Sequence, residues 1–445
     1  MACDKSLPVL VVGAGITGLL TCHALTKAGL NYRIFERDSF MNSRSNEWTM
    51  AIHWALPLLQ KILPENVFAK VSDIACNPTV GIHSGLYPII HGESGQLITG
   101  VPYENGLRVP RSKMRKLSAE GINVEVSQQT IEVPLYNLGR VDGSKETLII
   151  PSLTAAQQYG KLLTNVIFPE DGVGVIAHFA DGTVVHGSMI IGADGPRSKL
   201  REIAVGNAED AATTKFQIFH TNMTVCYNDA EKALFVRKQY PTSYLALSEK
   251  SFHAFQSISS MPDGPDHPES WIFHMAMAWR GQVDDKLSYK ERLALIKDKA
   301  KGLGDPARSA FMWMPDDTEV HKADISYWIP HAWNNHQGRL TLIGDAAHPM
   351  PPYRGQGLNH CIRDVAYLLE GMQAWNNSEQ TLQQTIQKFE GEMIARGQEE
   401  VTCSVENGYM LHDWSKVQQS PVFNRGFKPM DGHSTTNKVG NAINV

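Results

Sequence analysis

An α/β fold is what this sequence predicts, and three stretches predict it: PVLVVGAGITGLL near the N-terminus, MIIGADGPRSKLR in the middle, and RLTLIGDAAHPMPPYRGQGLNHCIRD from Arg339 onward. In each, a short apolar or β-branched run reaches a glycine and gives way to a turn, the pattern of a buried strand ending at a corner. Between the second and third lie runs that alternate like strands, KFQIFHTNMTVCY, SYLALSEKSFHAFQSI and WIFHMAMAWRG. A mostly β region is therefore expected within the α/β frame.

Size and charge bound what the chain can be. With 445 residues, 42% of them hydrophobic, it can bury more than one core, and a prior of about 150 residues per domain gives two or three. The net charge is −5 and no run of five like charges occurs, which leaves no electrostatic footprint for nucleic acid or an anionic membrane. A small-molecule partner is expected. Six cysteines (Cys3, Cys22, Cys76, Cys226, Cys361, Cys403) are scattered without CxxC or zinc spacing, so neither a disulfide framework nor a metal site is predicted. No stretch reaches the roughly 18 unbroken apolar residues of a transmembrane segment. The first apolar run carries three glycines and no cleavage site of small residues, unlike a signal peptide, so a cytoplasmic location is expected.

The first corner is a complete nucleotide-binding pattern. The strand at residues 8–12 runs into Gly13, Gly15 and Gly18, then a helix ending at Gly29, a second strand YRIF, and Glu36, 36 − 18 = 18 residues past the last glycine. The glycines let backbone approach a pyrophosphate. The helix N-terminus offers unpaired N–H groups and about half a positive charge, and the acid accepts from ribose hydroxyls. Glu36 favours an unphosphorylated ribose, hence the AMP half of FAD or NAD; Thr17, inside the glycine motif, and Arg37, next to the acid, join the candidate contacts.

The third corner separates FAD from NAD. A buried strand ends in Gly344-Asp345, prolines force a rigid extended path, and a helix opens at Gly357. Such a turn presents a carboxylate at the C-terminal end of a strand and aims a helix N-terminus into the same crevice. Asp345 can accept from ribityl hydroxyls, and the N–H groups of Gly355 to Leu358 would stabilise negative charge on the N1–C2=O edge of a reduced flavin.

Taken in order, GAGITG with Glu36, GADGPRSKLR and GDAAHPMPPYRGQGLNH resemble the single-component, class A flavin monooxygenases of the para-hydroxybenzoate hydroxylase type, across residues 8 to about 375. The segment RSNEWTMAIHWALPLLQKILP is most similar to members of fungal secondary metabolism. The resemblance implies a Rossmann-like, GR2-type FAD-binding domain assembled from residues 1–75, 105–200 and 335–375. It also implies an inserted, mostly β substrate domain from 76–104 and 201–334, with C-terminal helices and a polar tail over 376–445.

It implies site residues as well. Gly13, Gly15, Gly18 and Glu36 match AMP-side positions, Asp345 the ribityl-binding aspartate, and Arg44 and Arg111 arginines that contact FAD. Asp194 matches a residue that supports both the FAD pocket and the reaction with nicotinamide; read locally, it is a helix cap over Ser198. Pro349, Gly355, Gln356, Gly357, Leu358 and Asn359, with Pro351, lie where the family packs against the isoalloxazine. The implied reaction has two halves. NAD(P)H, more often NADPH in that family, reduces FAD, and reduced flavin adds O2 at C4a to give a hydroperoxide that delivers one oxygen atom. The absence of a second GxGxxG fits transient docking of the nicotinamide.

Substrate residues are expected on the alternating strands. In WIFHMAMAW, one face is Trp271, Phe273, Met275, Met277 and Trp279, and the other Ile272, His274, Ala276 and Ala278; in the earlier run one face is Phe216, Ile218, His220, Asn222, Thr224 and Cys226. Apolar walls with sparse polar groups suit an aromatic or polycyclic substrate. A phenol would need a base, for which His53 is the first candidate and His220 and Tyr244 the alternatives; an epoxidised alkene would need none. No Arg or Lys cluster argues for a carboxylate anchor. The functional expectation is hydroxylation or epoxidation of a natural-product intermediate. A flavin oxidase or reductase without oxygen insertion is the alternative, and a binding protein that keeps the fold without flavin a third reading.

Overall fold

The computed structural model describes residues 5–39, 46–122, 128–134, 145–151, 157–281, 283–284 and 286–428. Arg44 and the polar tail from residue 429 onward lie outside the described residues.

The first layer is built around two central strands with no polar side chain, VLVV and MIIG. Val9–Val12, Tyr32–Phe35, Gln157–Gln158, Met189–Gly192 and Leu340–Leu342 make one parallel sheet, in the order 340–342, 189–192, 9–12, 32–35, 157–158. A parallel sheet covered on both faces has no polar side, which is why VLVV and MIIG do not alternate. The helix Ile16–Lys27 is buried from Gly18 through Leu25, since it lies between this sheet and the helix Gly357–Asn376. A three-stranded antiparallel sheet (Leu163–Ile167, Val175–Phe179, Val184–Gly187) carries the chain into the Met189 strand.

The second layer is an eight-stranded sheet in the order His321–Ala323, Phe219–Cys226, Ile272–Trp279, Phe252–Ser260, Ser243–Ser248, His83–His91, Leu97–Pro110 and Thr49–Ile52. Its last three strands come from the N-terminal third of the chain, and the Ser243 strand meets the His83 strand in parallel. On one face Phe273, Met275 and Met277 join a core cluster with Ile296 and Phe311, from the helices Tyr289–Ala300 and Ala307–Met312. The opposite face, with His274 and Ala276, is turned to a cavity. The larger side chains of WIFHMAMAW are thus core, and the smaller ones leave space beside them.

The C-terminal helices close the far side. Leu382–Leu411 runs 30 residues from a capping box at Thr381 and Gln384, and the chain then returns through Trp414–Gln419 and Pro421–Arg425 to the cavity, which Val422 and Phe427 line. Among the described residues no helix is long and apolar enough to cross a membrane.

Candidate active site

Two tight corners fix one end of the site. Gly13 has φ +103°, and a Cβ there would lie 2.3 Å from the Ala193 carbonyl oxygen; a Cβ on Gly18 would lie 1.9 Å from the Gly13 carbonyl oxygen. Both glycines let the first turn press against the second strand corner. Gly15 differs, because a Cβ there meets nothing within 4 Å. It is the N-cap of Ile16–Lys27, with no side chain capping that helix, so its first N–H groups face open space.

Glu36 sits across this turn. Its carboxylate accepts from the Ala14 N–H at 2.8 Å and the Asp38 N–H at 3.0 Å. Arg115, which the sequence reading did not single out, donates from Nε to the Ala14 carbonyl at 2.8 Å and brings Nη2 to 3.7 Å from Glu36. It comes from the helix Arg111–Ser118, so only the tertiary fold reveals it.

Asp345 forms the other end. Its carboxylate has accessible surface, but that surface faces the cavity interior and is enclosed by protein, so burial raises its pKa. The corner is held from below. Asp364 accepts the Gly344 N–H at 2.9 Å, His348 Nε2 at 2.6 Å and Arg396 Nη2 at 2.6 Å. Despite its burial, these partners hold Asp364 well below the ordinary carboxylate range. Arg201 ties the middle corner to this one, donating to the Pro196 carbonyl at 2.5 Å and the Ala346 carbonyl at 3.0 Å. The helix Gly357–Asn376 opens with no side-chain cap, and a Cβ on Gly357 would meet nothing within 4 Å.

These ends share one cavity of about 1040 Å³, at the upper end of single-ligand sites. It is lined by Gly13, Gly15, Thr17, Glu36, Arg37, Arg111, Asp194, Asp345, Gly355, Gly357 and Leu358 from the expected cofactor set, and by His53 and His220 from the catalytic set. Arg111 lies over the Trp48 ring at 4.8 Å. Asp194 accepts from Ser198 Oγ at 2.5 Å and the Lys199 N–H at 2.7 Å, so its capping role is real while its residue still borders the cavity.

Five expected cofactor contacts, Gly18, Pro349, Pro351, Gln356 and Asn359, are not on the cavity wall. Gly18 is consumed by packing, and Pro349 gives its carbonyl to the Trp328 N–H at 3.1 Å. Gln356 accepts from Trp54 Nε1 at 2.9 Å and donates to the Phe427 carbonyl at 3.0 Å. Asn359 donates to the Ala51 carbonyl at 2.9 Å and accepts the His53 N–H at 3.0 Å. These last two are braces, because their amides are spent on backbone and indole partners. Tyr244 is also corrected: it is fully buried in the core cluster behind the sheet, whereas its strand neighbours Ser243 and Leu245 reach the cavity. Strand alternation turns it away.

The histidines are held neutral. Burial, reinforced by Arg108, pushes His53 down to about 3 and, by the same two causes, His274 down to about 3; burial pushes His220 down to about 4. His274 Nδ1 accepts the Thr49 N–H at 3.1 Å. Tyr87, Tyr103, Phe255, Tyr353 and Phe427 add aromatic surface, with Phe427 5.3 Å from the His53 ring and 5.6 Å from Tyr87.

A glycine-rich helix entry, an acid just past the second strand and a second helix entry beside an enclosed carboxylate, all on one cavity, are the features of a dinucleotide-type flavoprotein. Comparison with known proteins agrees. The FAD binding domain family matches residues 161–401 and the NAD(P)-binding Rossmann-like domain family residues 11–48. The FAD-dependent monooxygenase phnB of Penicillium herquei is 67% identical over 434 residues, 98% of each chain, and the FAD-dependent monooxygenase cctM of Talaromyces islandicus is 29% identical over 94% of this chain and 96% of its own. This chain belongs to the FAD-dependent monooxygenases. Among solved structures, Klebsiella pneumoniae HpxO with FAD and uric acid has a TM-score of 0.67 at 16% identity, covering 93% of this chain and 91% of that one. PqsL of P. aeruginosa has a TM-score of 0.67 at 14% identity, covering 93% and 99%. Both share the fold.

Proposed function

We propose that this monooxygenase takes reducing equivalents from NAD(P)H, with NADPH as the preferred donor, and inserts one atom of O2 into an aromatic or polycyclic natural-product intermediate, by hydroxylation or epoxidation. The observation that carries the reading is the single cavity joining two open helix N-termini and Asp345 to an aromatic wall on the eight-stranded sheet. When bound, FAD supplies the redox chemistry: it accepts the hydride and, once reduced, activates oxygen.

The chain's own residues would bind and orient. Gly13, Gly15, Thr17 and Glu36, with Arg37 and Arg115, take the AMP half. Asp345 takes the ribityl chain, and the backbone from Gly355 to Leu358 takes the ring edge, with Arg111 and Asp194 alongside. The aromatic wall keeps water from the reacting atoms. The proposed division of labour is a cofactor domain from 1–75, 105–200 and 335–375, a substrate domain from 76–104 and 201–334, and a C-terminal part from 376. It is supported by strands of the first segments sharing the parallel sheet, while most strands of the second share the mixed one.

His53 and His220 border the substrate space as neutral imidazoles. Their depressed pKa values make them weak proton acceptors, so a base is proposed only in the sense of positioning a substrate hydroxyl. The test is stopped-flow absorbance of anaerobically reduced holoprotein mixed with oxygenated buffer. A transient band distinct from both oxidised and reduced flavin is expected before reoxidation. Single-step return of oxidised flavin would replace oxygen insertion by oxidase or reductase chemistry.

A further inference from the structure

The substrate half of the cavity is poor in charge. Among the described lining residues carried by strands of the eight-stranded sheet the charged side chain is Arg108, and Arg354, on the turn before Gly355, adds a second. Arg354 is neutralised by Glu400 at 2.6 Å. Arg108 is not: its Nη1 donates to the neutral Thr49 Oγ1 at 3.0 Å and its guanidinium lies 5.2 Å over the Phe255 ring, with no carboxylate in ion-pair range among the described residues. The strand Leu97–Pro110 fixes its place. Arg108 pairs with Ala51, its own carbonyl accepts the Cys76 N–H at 2.8 Å, and the neighbouring Leu107 and Val109 point into the main core. It therefore projects from a rigid element toward the cavity, half-buried, with unspent N–H donors.

Its charge is felt around the whole space. After burial, Arg108 is the next cause that lowers His53 and His274, and it opposes the upward push of burial at Tyr87 and Tyr103. A half-buried guanidinium whose partners are a neutral hydroxyl and a neutral ring lacks a counter-charge among the described residues. We propose that the counter-charge is the substrate's: Arg108 binds an acidic oxygen carried on an aromatic ring, as the fork-shaped donor that anchors and orients the ring in the cavity. This rests on the monooxygenase reading and narrows its substrate to ring systems bearing an ionisable hydroxyl or carboxyl group. For a hydroxyl, the O–H bond breaks on binding, its electron pair stays on oxygen opposite Arg108, and the proton leaves to solvent. No histidine base is then required, in keeping with the neutral imidazoles.

The test titrates the oxidised holoenzyme at neutral pH with 2-naphthol, 2-naphthoate and 2-methoxynaphthalene, following binding by equilibrium dialysis and proton release by calorimetry in two buffers. Wild type is expected to favour at least one ionisable probe over the methyl ether by about 10- to 100-fold, the span of one charge-assisted hydrogen bond. Proton release with 2-naphthol would identify a phenolic source, and preference for 2-naphthoate without release a carboxylate source. Arg108→Gln should erase the preference while leaving affinity for the methyl ether unchanged, and Arg108→Lys should restore part of it. Equal loss for all three probes, a preserved preference in Arg108→Gln, no preference in wild type, or loss of FAD from the variant would each overturn the proposal. The oxygen-mixing experiment uses no substrate, so the two readings can fail separately.

Discussion

Asp345 is placed where a small change has a large consequence. Its carboxylate stands inside the cavity with burial raising its pKa, a cost that hydroxyl donors on a bound ligand would offset. Asp345→Ala removes the acceptor without touching Asp364, which holds the corner by the Gly344 N–H. The variant should retain its circular dichroism and melting behaviour as apoprotein yet bind FAD about 10- to 100-fold more weakly, the worth of a hydrogen bond to a charged group. Normal FAD affinity in it would contradict the placement of the ribityl chain. Glu36 gives a contrasting case, because two backbone N–H groups already use its oxygens. In Glu36→Gln one oxygen becomes an amide N–H facing another donor, so both apoprotein stability and FAD affinity should fall, by about 1–3 kcal/mol each, read by urea unfolding and by flavin fluorescence on release.

At the scale of elements, the corner containing Asp345 is only as rigid as the helix beneath it. Asp364 lies on Gly357–Asn376 and receives three donors from the corner, the following turn and the Leu382–Leu411 helix. Asp364→Asn keeps the shape but loses the charge opposite Arg396. Arg396 keeps Glu392, which accepts from its Nε and Nη2 at 2.9 Å, so the loss should cost about 1–3 kcal/mol in urea unfolding. The wild-type contribution has a definite pH sign: the folded pKa is depressed, so the stability is present above the unfolded carboxylate value, near 4, and is lost as pH falls below it. In Asp364→Asn this acid-side loss should be smaller, and an unchanged acid profile would remove Asp364 from that role. The three strand corners were legible in the sequence because each is fixed by residues a few positions apart. What stayed hidden was set by pairing across the chain. Arg115 reaches Ala14 from 101 residues away, and Thr49 meets His274 across 225. The run SYLALSEKSFHAFQSI reads as strand-like without showing which residues see the cavity, so the sequence offers Tyr244 as a base where the fold presents Ser243 and Leu245. Gln356 and Asn359 looked like ring contacts, yet the returning C-terminal segment and the His53 loop had claimed their amides.

At the scale of the whole molecule, the two largest sheets serve one shared cavity, and that arrangement couples ligand binding to stability. The turns at Gly13 to Thr17 and Gly355 to Leu358 belong to segments more than 300 residues apart, as the difference 355 − 17 = 338 shows, yet both open on the same space. A ligand that satisfies both must stabilise the folded chain by RT ln(1 + [L]/Kd), about 2.7 kcal/mol at roughly 100-fold Kd. Removing FAD should therefore lower the melting temperature, and adding it back should raise that temperature with the logarithm of concentration. The protection should also be local. Backbone amides of the two turns should exchange more slowly in holoprotein than in apoprotein, while those of Ile272–Trp279, already buried in a fully paired strand, should change little. In Asp345→Ala, the Gly13 turn should still gain protection at high FAD while the Gly355 turn gains less. That asymmetry would mean a cofactor held by its AMP half with its ring end loosened. Equal protection of both turns would show that the carboxylate does not hold the ring end, and protection of neither would mean that the N-terminal turn cannot retain the cofactor alone.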